Sequence, residues 1–536
     1  MGPGFRRGDQ QGSSPMNLVR ATATIGGLTL VSRILGFVRD MLMARFVGAG
    51  FASDAFLIAW RLPNLFRALF AEGAFSAAFV PMFNRMIGKD KGDISGGITF
   101  AEEVLSVLVP FLFLFTGLMM AAAGPIVWAM TGGFPDGGPE KFALATELTR
   151  ITFPYLPLIS LVAMLGGILN SINRFWVNAA APILLNLCLI AGLLFFRGHS
   201  EISTAQTQAI AVTISGVLQL LWLIWACRRA GIALRLRLPQ LSPRVKELLR
   251  IIGPAALGAG AVQFNLLIST SLAARFLPQG SVSYLYYADR LNQLPLGLIG
   301  IGVGTAMLPT LSRQLGGGED KAAMHTQNRA IELVLLLTLP ACAALMVSAT
   351  PIIRALLQHG AFTAADTIGS AQALAAFSIG LPAYVLIKVL TPGFYARSDT
   401  RTPVRIALVA MLVNLIGNLI LIWPMAHVGL ALSTAISAWV NAGLLYWVLH
   451  RREHFTLDAR LRRSAVRLGA ATLAMAALLL LLNPWIDPWT GRSLIERAAG
   501  ISVMMALGGA AYFGAAFLLG AFNVADLKAQ LGRRRA

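Results

Sequence analysis

Apolar stretches of about 20 residues follow one another along nearly the whole chain, separated by short polar segments. A stretch of that length is what an α-helix needs to cross the hydrocarbon core of a bilayer. The pattern predicts an all-α polytopic membrane protein with about fourteen transmembrane helices. The predicted spans are 22–47, 55–83, 99–123, 143–170, 179–196, 206–227, 248–276, 283–309, 329–349, 367–396, 404–423, 429–449, 466–484 and 495–521.

The composition agrees with this class and argues against a soluble protein. Of the 536 residues, 56% are hydrophobic and 13% are charged, and the mean hydropathy is +0.69. Soluble domains carry about a quarter charged residues. Cys188, Cys227 and Cys342 lie inside or at the end of apolar segments without paired spacing, so we expect neither a disulfide nor a metal site. Nothing in the sequence indicates a cofactor.

The net charge of +20 raises nucleic acid as a partner, but the positions of the charges indicate membrane topology instead. About 30 of the 44 Lys and Arg residues fall in alternate loops, and the richest are 228–247 and 450–465. Such an excess marks the cytoplasmic side of a membrane. We therefore predict that both termini are cytoplasmic, that the basic loops contact membrane lipids, and that nucleic acid is not a partner.

The second half of the chain repeats the first. AFVPMFNR at 78–85 matches AMLPTLSR at 306–313, an offset of 228, and the same offset takes Pro154 to Pro382. Six spans per half is an even number, so the halves share one orientation and are related by an axis along the membrane normal, with substrate between them. The predicted organisation is a disordered extension (1–15), a first six-helix half (16–227), a basic linker (228–247), a second half (248–449), a basic loop (450–465), two extra helices (466–521) and a basic tail (522–536).

Charged residues inside the apolar spans are concentrated in the first two. LTLVSRILGFVRDMLMARFV, residues 28–47, alone holds three arginines and one aspartate. Each charge at the centre of a lone helix costs roughly 2.5–3.5 kcal/mol. Ion pairs that staple helices together are one interpretation, but the arginines outnumber the acids, and a water-filled cavity for a polyanionic substrate explains that excess. The interior charges lie in or next to the first two spans, in the corresponding eighth span of the second half, and in the tenth span. They are Arg33, Arg39, Asp40, Asp54, Arg61, Arg67, Glu72, Asp289, Arg290 and Lys388.

Two weaker patterns suggest ion sites. Asn414 and Asn418 on the eleventh span, with Thr434 on the twelfth, could help bind a cation. Ordinary interhelical hydrogen bonding is the simpler interpretation. HRREH at 450–454 fits a zinc-binding pattern, but it sits in a basic loop with no third ligand in view, so we predict no metal.

Several segments of the chain also occur in a known family. They are SRILGFVRD, ASDAF, RLPNLFRALFAEGAFSAAFVP, ITFPY, YYADRLNQLPLGLIGIGVGTAMLP and TPGFYARSDTRTPV. Together they resemble the signature segments of the MurJ (MviN) family of bacterial lipid II flippases, and the resemblance runs from Met16 almost to the C-terminus. It implies the fold of the multidrug/oligosaccharidyl-lipid/polysaccharide (MOP) exporter superfamily, which is two six-helix bundles in a V, with two extra helices here.

The resemblance also implies a function. A member of this family flips lipid II, a peptidoglycan precursor, from the inner to the outer leaflet of the bacterial cytoplasmic (inner) membrane by alternating access. No bond is broken, so such a protein is not an enzyme. Membrane potential or an ion gradient would drive it, and cell-wall synthesis proteins are candidate partners.

The family's substrate gives roles to the interior charges. Lipid II is a polyprenyl diphosphate that carries a disaccharide-pentapeptide, and arginine matches phosphate oxygens bidentately while staying charged. The resemblance implies that diphosphate-binding residues are Arg33, Arg39, Arg67 and Arg290. Supporting residues of the cavity are Asp40, Asp54, Arg61, Glu72, Asp289 and Lys388.

The last two spans lie outside the repeat and contain no interior charge. Their small residues Gly508, Gly509 and Gly514 would allow a groove between packed helices, where the isoprenoid tail could lie. The alternative is that this pair only packs on the bundle as an anchor.

Three rival functions remain, of which the drug/cation antiporter belongs to the same superfamily. An exporter of another polyprenyl-diphosphate-linked glycan would use the same phosphate chemistry. A drug/cation antiporter usually has twelve spans and titrating carboxylates, whereas this chain has an arginine surplus. A membrane scaffold without transport would have no use for cavity charges.

The charge bias predicts the accessibility of the two basic loops. Single cysteines placed in 228–247 and 450–465, in a background without the native cysteines, should resist a membrane-impermeant thiol reagent in intact cells. They should react once the cells are permeabilised. Ready labelling of both loops in intact cells would contradict the predicted orientation.

Overall fold

The computed structural model describes residues 15–67, 74–87, 94–491 and 493–521, and within these ranges the chain forms helices and no β-strand. The first half contains α1 (Pro15–Val47), α2 (Phe51–Arg67), α3 (Ala74–Met86), α4 (Ser95–Ala121), α5 (Ala123–Thr131), α6 (Gly138–Thr152), α7 (Tyr155–Ser171), α8 (Phe175–Phe195) and α9 (Glu201–Arg229). The second contains α10 (Pro243–Phe276), α11 (Ser281–Gly316), α12 (Asp320–Val347), α13 (Ala349–Leu357), α14 (Ala364–Ser378), α15 (Leu381–Tyr395) and α16 (Arg401–Arg451). Two helices follow, α17 (Ala459–Thr490) and α18 (Leu494–Leu518).

Nine helical segments of the described chain are long and apolar enough to cross a membrane. An all-helical membrane protein is therefore confirmed, while the number of fourteen spans stays a prediction. One of the nine, α16, covers two predicted spans: Ala426 is non-helical after Pro424, and the chain folds back there. The two arms are joined because the Ser433 hydroxyl donates to the Asn414 carbonyl at 2.8 Å.

Several predicted spans consist of two consecutive helices. The break between α6 and α7 falls at Pro154, and the break between α14 and α15 falls just before Pro382. Proline lacks an N–H and its ring clashes with the preceding turn, whereas it fits the first turn of a new helix. Pro154 and Pro382 are 228 residues apart, so a proline breaks the helix at corresponding positions of the two halves.

The helices pack into two bundles, and some helices contact both bundles. In the first bundle α1 packs on α8, α2 on α6, and α7 on α9, and in the second α11 packs on α12, α14 and α15. Helix α10 belongs to the second half in sequence, yet it packs on α3 and α5 of the first half as well as on α16. Helices α17 and α18 pack on each other and against α12 and α13.

The linker between the halves has no regular secondary structure over residues 232–242 and is attached to the first half. A carboxylate oxygen of Glu102 in α4 accepts a hydrogen bond from the backbone N–H of Arg235 at 3.0 Å, and the other pairs with the Arg237 guanidinium at 2.5 Å. The neighbouring Glu103 accepts from the Ser242 hydroxyl at 2.7 Å. These bonds fix the segment that leads into α10.

The two halves meet closely at one end of the molecule, which we call the sealed end (residues 44–54, 277–287 and 357–369). There the backbone N–H of Ala361 donates to the Arg45 carbonyl at 2.9 Å, and the Tyr287 hydroxyl donates to the Gly48 carbonyl at 3.2 Å. Gly48 has φ 74°, and a Cβ at this position would lie 2.7 Å from the Ala361 carbonyl oxygen. Only glycine allows this backbone approach without strain.

Candidate functional site

A cavity of about 630 Å³ lies in the first bundle and reaches α11 of the second half. Its lining runs from Arg39 and Tyr155, near mid-bundle, to Thr29 and Asn170, toward the end opposite the sealed end. The volume lies within the range of small-molecule sites, about 300–1,000 Å³. The four residues predicted to bind phosphate all line it: Arg33, Arg39, Arg67 and Arg290. Among the described residues of the lining none is acidic.

One carboxylate behind the cavity wall joins two of these arginines. Arg39 donates to Asp40 Oδ1 at 2.6 Å, and Arg290 Nε lies 3.5 Å from Asp40 Oδ2. The Tyr286 hydroxyl also donates to Asp40 Oδ1, at 2.9 Å, and its ring lies 5.0 Å from the Arg290 guanidinium. Asp40 is 6% exposed, whereas Arg290 is 39% exposed. One negative charge is thus shared by two arginines, and the cluster keeps a net positive charge facing the cavity.

A neutral side chain orients Arg39 further. Arg39 Nη1 donates to Asn186 Oδ1 at 3.0 Å, and the Asn186 amide donates to the Ser32 carbonyl at 2.9 Å. These bonds tie α1 to α8 without neutralising the guanidinium. Asn186 was not predicted as a site residue, because its partner Arg39 lies 147 residues away in the sequence.

Arg33 crosses from α1 to the second half. Its guanidinium lies so close to Gly297 of α11 that a Cβ at that position would be 1.6 Å from Arg33 Nη1. Lys388 of α15 is near enough for its charge to be repelled by Arg33. Both halves therefore place positive charge beside the cavity.

Arg67 is the last residue of α2, and its Nε donates to Asn64 Oδ1 at 2.9 Å. Both side chains line the cavity. Glu72, predicted as a supporting residue, lies outside the described residues.

Arg61 and Asp289 lie in a different place from the four arginines. They line a second cavity of about 120 Å³ between the halves, and Trp60 lines both cavities. Arg61 donates to the Thr270 hydroxyl at 2.9 Å, and Asp289 accepts from Gln293. The structure thus separates this pair from the diphosphate-binding candidates.

Asp54 does not join the cavity either, although it shares a helical face with Arg61. Seven residues of helix span about 10 Å along the axis, and Asp54 lies in the first turn of α2, at the sealed end. It is buried against Lys141 of α6 and the start of α11. Lys141 escaped prediction because it precedes the fourth predicted span by two residues.

The weaker cation candidates form an interhelical hydrogen-bond network. Asn414 donates to the Thr434 hydroxyl at 3.2 Å. Asn418 donates to Asn414 Oδ1 at 3.1 Å and to the Ser269 hydroxyl at 2.9 Å, which joins α16 to α10. In the described part of the chain no group of three or more His, Cys, Asp or Glu side chains could hold a metal ion.

The three candidate groove glycines of α18 differ in surroundings. Gly508 is buried against α17, and a Cβ there would lie 3.2 Å from a Leu479 methyl group. A Cβ at Gly509 or Gly514 would meet nothing within 4 Å. The latter two positions therefore leave open space on the surface of α18.

Comparison with known proteins gives consistent matches. The family model described as lipid II flippase MurJ matches residues 43–500. The probable lipid II flippase MurJ of Rhizobium tropici is 42% identical over 97% of this chain and 98% of its own length. The lipid II flippase MurJ of Burkholderia cenocepacia is 36% identical over 94% of this chain and 98% of its own.

Solved structures give the same fold. A lipid II flippase MurJ in an inward closed conformation superposes with a TM-score of 0.72 at 25% identity, covering 90% of this chain and 98% of its own. An inward-facing multidrug resistance transporter of the MATE family and the MOP superfamily superposes with a TM-score of 0.67 at 16% identity, covering 80% and 97%. The second likeness concerns the fold alone.

The close approach of Arg33 to α11 predicts the effect of Gly297→Ala. The new methyl group must displace the flexible guanidinium, while alanine favours the helix by up to about 1 kcal/mol. We expect normal accumulation but about tenfold weaker binding of a short-chain prenyl diphosphate by the purified protein, as for one lost charge-assisted hydrogen bond. Gly443→Ala, in open space on α16, is the matched control. Equal affinities in both variants would show that the position of Arg33 does not matter for binding.

Proposed function

This chain belongs to the lipid II flippase MurJ family, and we propose that it moves lipid II across the bacterial cytoplasmic membrane. The observation that carries the proposal is the cavity into which four arginines converge without an acidic residue in its described lining. Arginine stays charged at any working pH and binds phosphate oxygens in a planar fork. A diphosphate head group is the anion that would balance this charge.

The proposed site holds the diphosphate in the cavity of the first bundle, where that cavity borders α11 of the second half. Arg39 lies on α1 and Arg290 lies on α11, so the two approach the diphosphate from opposite halves. Asp40 contacts both of them. Arg33 and Arg67 line other walls of the same cavity. Asp40 keeps one negative charge in competition with the substrate, which limits affinity and permits release.

We propose that transport proceeds by alternating access. In the proposed orientation, which the charge bias of the loops supports, the sealed end lies on the outer side and the cavity extends toward the cytoplasm. The likeness to a MurJ in an inward closed conformation supports that orientation. Moving the head group outward requires the sealed-end contacts, such as Ala361 to Arg45, to separate while the opposite ends of the halves approach.

The finer architecture belongs to the same proposal. Twelve spans in two repeated halves, with α17 and α18 as two more, account for sixteen of the eighteen helices of the described chain, and α5 and α13 lie almost wholly between spans. The related breaks at Pro154 and Pro382 support the repeat. An even number of spans would put both termini on one side of the membrane, and the charge bias of the loops favours the cytoplasmic side.

The proposed reaction is transport and not catalysis, since no bond of the lipid is made or broken. Membrane potential or an ion gradient would drive it. Each elementary charge moved across 100 mV is worth about 2.3 kcal/mol, so a cavity with net positive charge responds to the potential when it returns empty. Cell-wall synthesis proteins and membrane lipids are its proposed partners.

Export of another polyprenyl-diphosphate-linked glycan would use the same phosphate site, and family membership favours lipid II over it. Drug/cation antiport is disfavoured by the cavity, whose described lining has arginines and no titrating carboxylate.

The arginines should be required for transport and not for folding. We predict that Ala at Arg33, Arg39 or Arg290 abolishes complementation of flippase-depleted cells, because the unbalanced positive charge that binds diphosphate is lost. Lys should restore part of the activity, since it keeps the charge without the planar fork. Membrane levels should equal those of Arg405→Ala, an exposed arginine of α16. Normal growth with any of the three, or failure only through loss of protein, would falsify the diphosphate-binding role.

The open surface at Gly509 and Gly514 predicts where the lipid tail lies. Each CH₂ group buried in a groove contributes about 0.8 kcal/mol, so partial burial of the isoprenoid tail strengthens binding. Leu at either position should weaken binding of full-length lipid II much more than binding of a short-tail analogue. Gly443→Leu on α16, also in open space, should change neither. Equal losses for both lipids would mean that α17 and α18 are structural and that the tail lies elsewhere.

A further inference from the structure

A buried lysine lies between two carboxylates at the sealed end. The side chain of Lys141 is 1% exposed, and its ammonium lies 3.0 Å from Asp54 Oδ2 and 2.7 Å from Asp136 Oδ2. It also lies 4.9 Å from the centre of the Phe134 ring. Lysine is almost never fully buried unless it is paired. Two acids for one lysine leave this cluster with a net negative charge.

The preceding loop is shaped around this lysine. Phe134 adopts a positive φ of 54°, which is rare for an aromatic residue. A Cβ at Gly137 would lie 2.4 Å from Lys141 Cδ, so glycine is needed where the lysine stem passes. The loop therefore encloses the lysine as it enters the cluster.

The negative charge is matched by the second half. Asp54 accepts hydrogen bonds from the backbone N–H groups of Gly280 at 2.8 Å and Ser283 at 3.0 Å, and from the Ser283 hydroxyl at 2.6 Å. These donors form the first turn of α11, where the helix dipole places partial positive charge. Asp54 is thus held by one donor of its own half and three donors of the other.

Separation of the halves changes this balance. When the sealed end opens, Asp54 loses all three donors of α11 and keeps Lys141. The lysine therefore provides a larger share of the carboxylate's stabilisation in the open form than in the sealed form. In the sealed form its positive charge also faces the positive end of α11, which is unfavourable. Both effects make Lys141 favour opening.

We propose that Lys141 is a positioning residue that sets the equilibrium between the sealed and open forms of this end, by holding the Asp54 carboxylate while α11 withdraws. The inference rests on the proposed function, because alternating access requires this end to open. It assigns Asp136 the opposite effect. Asp136 belongs to the same half and adds negative charge that attracts the start of α11, so it favours the sealed form.

The test measures distances across the sealed end in the full-length protein in lipid nanodiscs. Spin labels on cysteines at His199 and Ala365, both exposed and in different halves, report the sealed and open populations by electron double resonance. His199 lies near the sealed end, because the guanidinium of Arg197, two residues before it, lies 4.6 Å from the centre of the Phe46 ring. The native cysteines are replaced. Lys141→Gln should lower the open-to-sealed ratio by about tenfold, the effect of one charge-assisted hydrogen bond. Asp136→Asn should raise that ratio.

Opposite shifts at two neighbouring residues separate this role from simple damage to the fold, which would move both variants the same way. An unchanged or raised open population in Lys141→Gln would overturn the proposal. If that variant does not accumulate, Asp136→Asn decides, and a ratio that is unchanged or lowered there overturns it. A single distance in every variant, including Asp54→Asn, would contradict alternating access itself. Because no substrate is added, failure of lipid II transport leaves the distance test unaffected.

Discussion

The rest of this molecule depends on one constraint, which is that its membrane-spanning helices carry more positive than negative charge in their interior. Arg39 and Arg290 share the single carboxylate of Asp40, and further arginines line the same cavity. Such charge is tolerated only where water or an anion reaches it. The bundles are therefore built around a polar cavity, and in the proposed function a diphosphate supplies the charge that the protein lacks.

Much of this could be predicted from the sequence, because the length of an apolar stretch and the number of charges in it depend only on consecutive residues. The length of each apolar stretch predicts a span, and the surplus of arginines over acids predicts a cavity. Position along a helix was less informative, since Asp54 and Arg61 share a face but lie at different depths beside different partners. Asn186 and Lys141 escaped prediction because their roles come from distant residues that only tertiary packing brings to them.

The two carboxylates that join the halves use one arrangement at two depths. Asp40 lies on α1 and is shared with Arg290, while Asp54 lies on α2 and is shared with Gly280 and Ser283. In each case the acid comes from the first half and has donors in both halves. A shared acid holds two bodies together only while both supply partners, so each site is both a contact and a point of release.

All the second-half partners of these acids lie between residues 280 and 290, at the start of α11. Ten residues of helix span about 15 Å, and a helix of that length moves as one body. In the proposed function, a diphosphate that draws Arg290 away from Asp40 therefore acts on the same helix whose first turn holds Asp54. Binding in the cavity and release of the sealed end are then coupled by a rigid element, and neither a long chain of side chains nor a second ligand is required.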